Sequence, residues 1–269
     1  MLQENTLFGI RDKEQEAIDL LREHEPPEGY YVAFSGGKDS CVILDLVKRS
    51  GVKFDAHYHL TTVDPPELVY FIRNEYPEVR KELPKETMWQ LIERHNGFPP
   101  SRIMRYCCAE LKEHGGEGRC KITGIRSEES PRRAKRKKIE QDKKNKKIYY
   151  YNIIKDWKKE EVWEYIHKHG VPYCKLYDEG WERIGCILCP FASKNRQREI
   201  ELYPKYVENY KKAIKRGYEK GIREGKEYRK YKSAEDIFEW WMESGKKPSI
   251  AESCDSVPLF SEDDGEAVL

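Results

Sequence analysis

Two groups of residues in this chain have the types and spacing to do chemistry. The first is Ser35-Gly36-Gly37-Lys38-Asp39-Ser40. Paired glycines after a short apolar run let the backbone turn tightly, so that successive amide N–H groups converge on an anion where the next helix begins. The helix dipole adds to that attraction. Ser35 and Ser40 supply hydroxyl donors, Lys38 supplies a positive charge, and Asp39 can cap the helix or help hold a magnesium ion. The string departs from the Walker P-loop, which places Gly-Lys-Ser/Thr four residues after a first glycine. The second group is cysteine. Eight cysteines in 269 residues, with no apolar stretch of signal-peptide length at Met1 to Ile10, point to thiols or metal ligands and not to a disulfide framework. Cys107-Cys108 and Cys186-x-x-Cys189 form a four-thiolate set suited to a structural zinc ion or an iron–sulfur cluster. Neighbouring side chains diverge, which is awkward for one tetrahedral ion, whereas a [4Fe-4S] cluster offers each sulfur its own iron. That geometry favours the cluster, with zinc as the alternative and Cys174 as an alternate ligand.

These groups need a scaffold. Lys13 to Glu25 has helical periodicity stopped by Pro26-Pro27, which marks 1–28 as an N-terminal helical segment. Tyr30 to Phe34 reads as a strand running into the glycine turn, and Cys41 to Val47 resumes as a helix. Phe54 to Leu60 is the next strand, followed by helices over Pro66 to Asn74 and Thr87 to His95. Arg119 to Ile125 reads as a further buried strand with Cys120 as a small core residue, and Trp157 to Lys168 as an amphipathic helix. Strands alternating with helices predict an α/β fold: a mostly parallel twisted sheet with helices on both faces, and ligands beyond the carboxyl ends of the strands. Ser35 and Arg126 both fall at such ends. Helices dominate 193–247, where Trp240-Trp241 are core or a docking surface, and the acidic, aperiodic tail 248–269 reads as disordered.

Charge bears on partners only locally. Fifty Lys plus Arg against 48 Asp plus Glu give a net +2, while 12% aromatic residues are too many for a disordered chain. The polar segment Arg132 to Lys147 reads as a mobile surface loop. Its basic run, Lys135 to Lys138 with Lys143-Lys144 and Lys146-Lys147, followed by Tyr149 to Tyr151, is either a solvated loop or a track for a nucleic-acid backbone. No segment approaches the roughly 20 apolar residues of a membrane span, so the expected location is the cytoplasm.

The Ser35–Ser40 string resembles the pyrophosphate loop (PP-loop) of the ATP pyrophosphatase superfamily, the adenine nucleotide alpha hydrolase-like or HUP fold, whose members adenylate a substrate and release pyrophosphate. The tandem cysteines with the later Cys-x-x-Cys resemble the cluster pattern of assimilatory adenylyl-sulfate reductases, within the phosphoadenylyl-sulfate (PAPS) reductase family. Thr123-Gly124-Ile125-Arg126 with Glu129-Ser130-Pro131-Arg132-Arg133-Ala134 is similar to that family's substrate strand and arginine loop. Asp156-Trp157, Val171-Pro172-Tyr173, Leu176-Tyr177-Asp178, Gly180-Trp181 and Ile184-Gly185-Cys186 are similar to the region that follows. The resemblance places a nucleotide-binding domain over 29–192. It implies that Ser35, Gly36, Gly37, Lys38, Asp39, Ser40, Thr61, Gly124 and Arg126 bind nucleotide, that Lys38, Asp39 and Arg126 are catalytic, and that Arg132 and Arg133 hold substrate phosphate or sulfate.

Two features depart from the reductase pattern. Reductases carry a late nucleophilic cysteine in a Glu-Cys-Gly-x-His context. Here Cys254 sits in Glu252-Ser253-Cys254-Asp255-Ser256, with no neighbouring cation to activate it. Many reductases also have a degenerate phosphate loop, whereas this one is whole. Together these point to ATP, with Mg2+, as the nucleotide and to a sulfurtransferase similar to the iron–sulfur enzymes that thiolate nucleic acids. A sulfur donor such as a cysteine desulfurase is then an implied partner; the oligomeric state, a homodimer included, stays open. The alternatives are an adenylyl-sulfate or PAPS reductase and a non-catalytic nucleotide-binding regulator.

Overall fold

The computed structural model describes residues 1–6, 9–142 and 145–243. Lys143-Lys144, Cys254 and the tail 248–269 lie outside the described residues. A hairpin of β1 (Gln3–Thr6) and β2 (Gly9–Asp12) opens the chain. Asp12 then caps α1 (Lys13–Glu23), its carboxylate accepting the N–H groups of Glu14 and Gln15. The helical segment expected over 1–28 is therefore helix only from Lys13. What holds the hairpin is tertiary: Leu2 is buried, and its carbonyl accepts the Lys13 N–H at 3.0 Å. Lys13 Nζ reaches the buried Glu161 carboxylate at 2.7 Å. Local periodicity records none of these contacts.

Alternating elements follow: β3 (Tyr30–Ala33), α2 (Lys38–Ser50), β4 (Phe54–His59), α3 (Pro66–Glu75), β5 (Arg80–Glu82), α4 (Met88–Arg94), α5 (Tyr106–Leu111), β6 (Lys121–Ile122), α6 (Pro131–Ala134), β7 (Ile139–Gln141), β8 (Tyr149–Tyr151) and α7 (Lys159–His169). The sheet runs β5-β4-β3-β6-β8-β7, parallel throughout except for β7, which pairs antiparallel to β8. This is the mostly parallel α/β sheet the sequence predicts. Helix α2 is its central helix, with Cys41 through Leu44, Leu46 and Val47 all fully buried. From β3 the chain winds outward through β4 and β5, then returns to place β6 on the other side of β3. The crevice between β3 and β6 is thus the topological switch point, where ligands of such sheets bind.

Arg132 to Lys147 is not the loop expected. Its described part forms α6, β7 and the turn into β8, in register Ile139 to Tyr151. Two of its cations are tied down: Arg136 pairs with Glu140, and Lys138 with Glu16 at 3.5 Å and Asp156 at 3.4 Å, while Lys135, Lys137, Lys146 and Lys147 are exposed. Tyr151 is buried against Tyr30, so only Tyr149 and Tyr150 of the three tyrosines reach the surface. The C-terminal part is helical: α8 (Arg196–Leu202), α9 (Pro204–Arg223) and α10 (Ala234–Glu243). Trp241 is core, its Nε1–H donating to the Pro100 carbonyl at 2.7 Å. Among the described residues no helix is long and apolar enough to cross a membrane.

Candidate active site

The glycine turn leaves β3 at Ala33 and enters α2 at Gly37, the N-cap. Gly36 has φ +71°, and a Cβ there would come within 2.6 Å of Ile72 Cδ1, so the loop lies flat on α3 in a conformation that favours glycine. Ser40 Oγ donates to the Gly37 carbonyl at 2.8 Å and accepts the Ser35 N–H at 3.3 Å, closing the loop on itself. Asp39 makes no cap. Its carboxylate instead accepts Lys38 Nζ at 3.1 Å and Arg126 Nε at 2.6 Å. Placing Asp39 between two cations, both nearly buried, keeps each charge paired away from water. Arg126 also donates from Nη1 to Glu128 at 2.7 Å, and its N–H donates to Glu129, which pairs with Arg133. Gly124 lets β6 approach α2: a Cβ would lie 3.3 Å from Ile43 Cδ1 and 3.6 Å from Asp39 Cβ. Lys38, Asp39, Gly124 and Arg126 are therefore brought together at the switch point, with Arg133 linked to them through Glu129. Arg132 is exposed on α6.

A cavity of about 160 Å³ opens beside the loop. Its walls include Ser35, His59, Lys112, His114, Thr123 and Gly185, so it reaches from the phosphate loop to residues flanking the cysteines. His59 accepts or donates at 2.7 Å with the Tyr31 hydroxyl, and burial, aided by the His114 ring, pushes it down to about 4. A larger cavity, about 730 Å³ between α3 and the 170–178 segment, includes none of the loop or thiol residues. The smaller cavity is the one that touches the loop, at Ser35, and the thiol side, at Lys112 and Gly185.

Cys107 and Cys108 open α5 with their sulfurs 4.0 Å apart. Cys186 and Cys189 lie across from them in a turn whose backbone groups are individually held. Ile187 N–H donates to the Val63 carbonyl at 2.8 Å, Leu188 N–H to Glu199 at 2.7 Å, and Tyr210 Oη to the Ile187 carbonyl at 3.1 Å. Leu188 has φ +59°, a conformation these contacts enforce. All four thiols share one electrostatic neighbourhood. Cys107 is raised by hydrogen bonding with Cys108 and by burial, with Cys186 and Cys189 adding to it, while Cys108 is held low by Cys107, Arg105 and Lys112. Burial pushes Cys186 up to about 11. Burial works against the Lys112 ammonium, while Cys186 and Asp64 beside it hold its value above the ordinary lysine range.

Among the described residues no three His, Cys, Asp or Glu side chains stand close enough to hold a metal ion as they are. The donor set nonetheless fits a thiolate-bound group: four sulfurs from two segments, with Lys112 and Arg105 to offset their negative charge. Cys174 is not among them. It is buried beside Cys41 and Tyr177. Thr61, expected at the nucleotide, is buried with its hydroxyl accepting from Val63 N–H at 3.3 Å and Cys186 Sγ at 3.5 Å.

Residues 29–192 match the model of the phosphoadenosine phosphosulfate reductase domain. The chain belongs to the phosphoadenosine phosphosulfate reductase family. It is 30% identical over 203 residues to an uncharacterized protein of Methanocaldococcus jannaschii, covering 70% of this chain and 42% of that relative's length. It is 28% identical over 198 residues to adenosine 5'-phosphosulfate reductase of Shouchella clausii, covering 67% of this chain and 79% of the relative. A crystal structure of phosphoadenylyl-sulfate reductase from Candida auris in phosphate complex superposes with a TM-score of 0.49 at 20% identity, over 64% of this chain and 87% of that one. Within this family member, sequence reasoning passed over Lys112, His59 and Glu199, and gave Tyr177 no role beyond its place in Leu176-Tyr177-Asp178. Lys112 had a signal, standing four residues after Cys108 and so on the same helical face. The other residues take their roles from partners outside their own local run, Tyr31 for His59, Leu188 for Glu199 and Lys38 for Tyr177, which no local pattern marks.

Proposed function

We propose that this family member binds ATP across the ends of β3 and β6, adenylates an acceptor with release of pyrophosphate, and transfers sulfur to the activated acceptor. The observation that supports this best is the whole Ser35–Ser40 loop with Lys38, Asp39 and Arg126 gathered into one ion-paired cluster at the switch point. In this reading an acceptor oxygen attacks the α-phosphorus, the bond to the β-phosphate oxygen breaks, and pyrophosphate leaves toward the loop amides. The terminal sulfur of a persulfide, carried by a donor such as a cysteine desulfurase, then attacks the acceptor and AMP leaves; a second thiol cleaves the resulting S–S bond, which frees the thiolated acceptor and leaves a disulfide on the donor. Lys38 offsets the charge that develops on pyrophosphate, and Asp39 is the carboxylate that would hold an Mg2+ ion, which supplies further positive charge when bound. Arg126, Arg132 and Arg133 hold phosphate oxygens through forked hydrogen bonds. Cys107, Cys108, Cys186 and Cys189 would hold a [4Fe-4S] cluster, which supplies sulfur or redox chemistry when bound. Exposed lysines of the 132–147 hairpin would track a nucleic-acid acceptor.

A second reading, reduction of adenylyl sulfate to sulfite and AMP, is favoured by the relatives named as adenosine 5'-phosphosulfate reductases. One pair of assays separates the two. Pyrophosphate released from ATP, and lost in Lys38→Ala and Asp39→Ala, supports adenylation. Sulfite from adenylyl sulfate with no pyrophosphate from ATP overturns it in favour of the reductase.

A further inference from the structure

Lys38 N–H is the first amide of α2, a helix of 13 residues whose N-cap, Gly37, offers no side-chain acceptor. Such amides have no partner within their own helix. Here the partner comes from far along the chain: the Tyr177 hydroxyl accepts this N–H at 3.0 Å. The same hydroxyl lies 3.6 Å from where a Cβ on Gly37 would stand, and Lys38 Nζ sits 5.5 Å from the centre of the Tyr177 ring. Trp163 packs edge-on against that ring at 5.3 Å. Tyr177 thus engages the amide, the glycine and the ammonium by which the loop would grip a phosphate.

We propose that Tyr177 is a latch on the phosphate loop: its hydroxyl stands where an oxyanion must bind, and the anion displaces it. This rests on the reading of Ser35–Ser40 as a phosphate site. The competition has a clear direction, because a charged oxygen bonds an amide N–H roughly twice as strongly as a neutral hydroxyl does. Tyr177 belongs to a short helical turn, Lys175–Tyr177, to which the Trp181 N–H is tied through the Leu176 carbonyl at 3.1 Å. The chain runs on from Trp181 to Cys186. Tyr177 therefore stands on the segment that leads into the thiol turn.

The test is calorimetric titration of inorganic pyrophosphate into the full chain, as wild type, Tyr177→Phe and Lys38→Ala, with Trp163 emission read in parallel. The latch predicts binding about three- to tenfold tighter in Tyr177→Phe, the worth of one hydrogen bond no longer in competition. It also predicts a change in wild-type emission on binding that Trp163→Phe removes. Weaker binding in Tyr177→Phe would make the hydroxyl a ligand of the anion, and unchanged affinity would make the contact merely structural; either overturns the latch. If Lys38→Ala abolishes binding while Tyr177→Phe leaves it unaltered, the phosphate site stands and the latch falls. Absence of binding in both wild type and Tyr177→Phe removes the phosphate site, and the latch with it.

Discussion

The two glycines of the phosphate loop look equivalent in sequence, yet substituting alanine at each should have very different consequences. At Gly36 the backbone is left-handed, φ +71°, which costs an L-residue about 1–2 kcal/mol. The new methyl would also meet Ile72 Cδ1 at 2.6 Å and Leu68 Cδ1 at 2.7 Å, both ends of buried side chains, and overpacking of this kind costs about 1–3 kcal/mol. Gly36→Ala should therefore lose about 2–5 kcal/mol, a fall in Tm of about 5–15 °C for a chain near this size. Gly37 has φ −73°, and a methyl there meets Ser35 Oγ at 3.5 Å and Tyr177 Oη at 3.6 Å, ordinary contacts. Its stability cost is the exchange of a glycine N-cap for alanine, under about 1 kcal/mol. That methyl does, however, stand on the side of the loop where Lys38 N–H points, so pyrophosphate binding should fall although the fold is intact. Urea unfolding with pyrophosphate titration measures both effects. Equal stability losses in the two variants, or Gly36→Ala within about 1 kcal/mol of wild type, would refute the reasoning.

His59 should make the protein acid-sensitive. Its folded value of about 4 lies below the ordinary 6.5, so the unfolded chain takes up the proton first; stability present above about pH 6.5 is lost as pH falls toward 4, by about 1–3 kcal/mol. Urea midpoints across that range should drop in wild type and stay flatter in His59→Gln. Arg126→Ala leaves Asp39 with Lys38 alone and Glu128 without its 2.7 Å partner, so a loss of about 2–4 kcal/mol and of ATP-dependent pyrophosphate release is expected by unfolding and phosphate assays. Anaerobic purification should yield about four irons and four acid-labile sulfides per chain, lost in Cys186→Ser. One zinc and no iron would instead make the thiols structural. Glu199→Ala orphans the Leu188 N–H in its left-handed turn and should cost about 1–3 kcal/mol together with part of that iron.

What could be read from the sequence was what local chemistry encodes. A glycine pair between an apolar run and a helical period specifies a strand, a turn and a helix without help from the rest of the chain, and the structure has all three. The sheet also followed from alternation, because parallel strands must be separated by crossovers. Elements that depend on partners far away were illegible. The β1–β2 hairpin is held by Glu161, and the charged run 135–140 becomes a sheet edge through acids of α1 and of the segment before α7. Neither leaves an apolar period to find.

The site divides in the same way. Asp39 and Arg126 are 87 positions apart, yet both could be named, Asp39 from the Ser35–Ser40 string and Arg126 from its place at a strand's carboxyl end, which the fold itself marks. Cys174 was grouped with the cysteines by its linear distance from Cys186, and Thr61 with the nucleotide by the family resemblance. The structure exchanges their company: Thr61 accepts from Cys186, and Cys174 lies beside Tyr177 behind the phosphate loop. One stretch of chain, from Cys174 to Cys189, therefore touches both halves of the chemistry, with Tyr177 on the loop and Cys186 among the thiols. Tyr177 and Cys186 thus stand on one segment, and that shared segment is the feature that motif reading, which scores each motif separately, is least able to see.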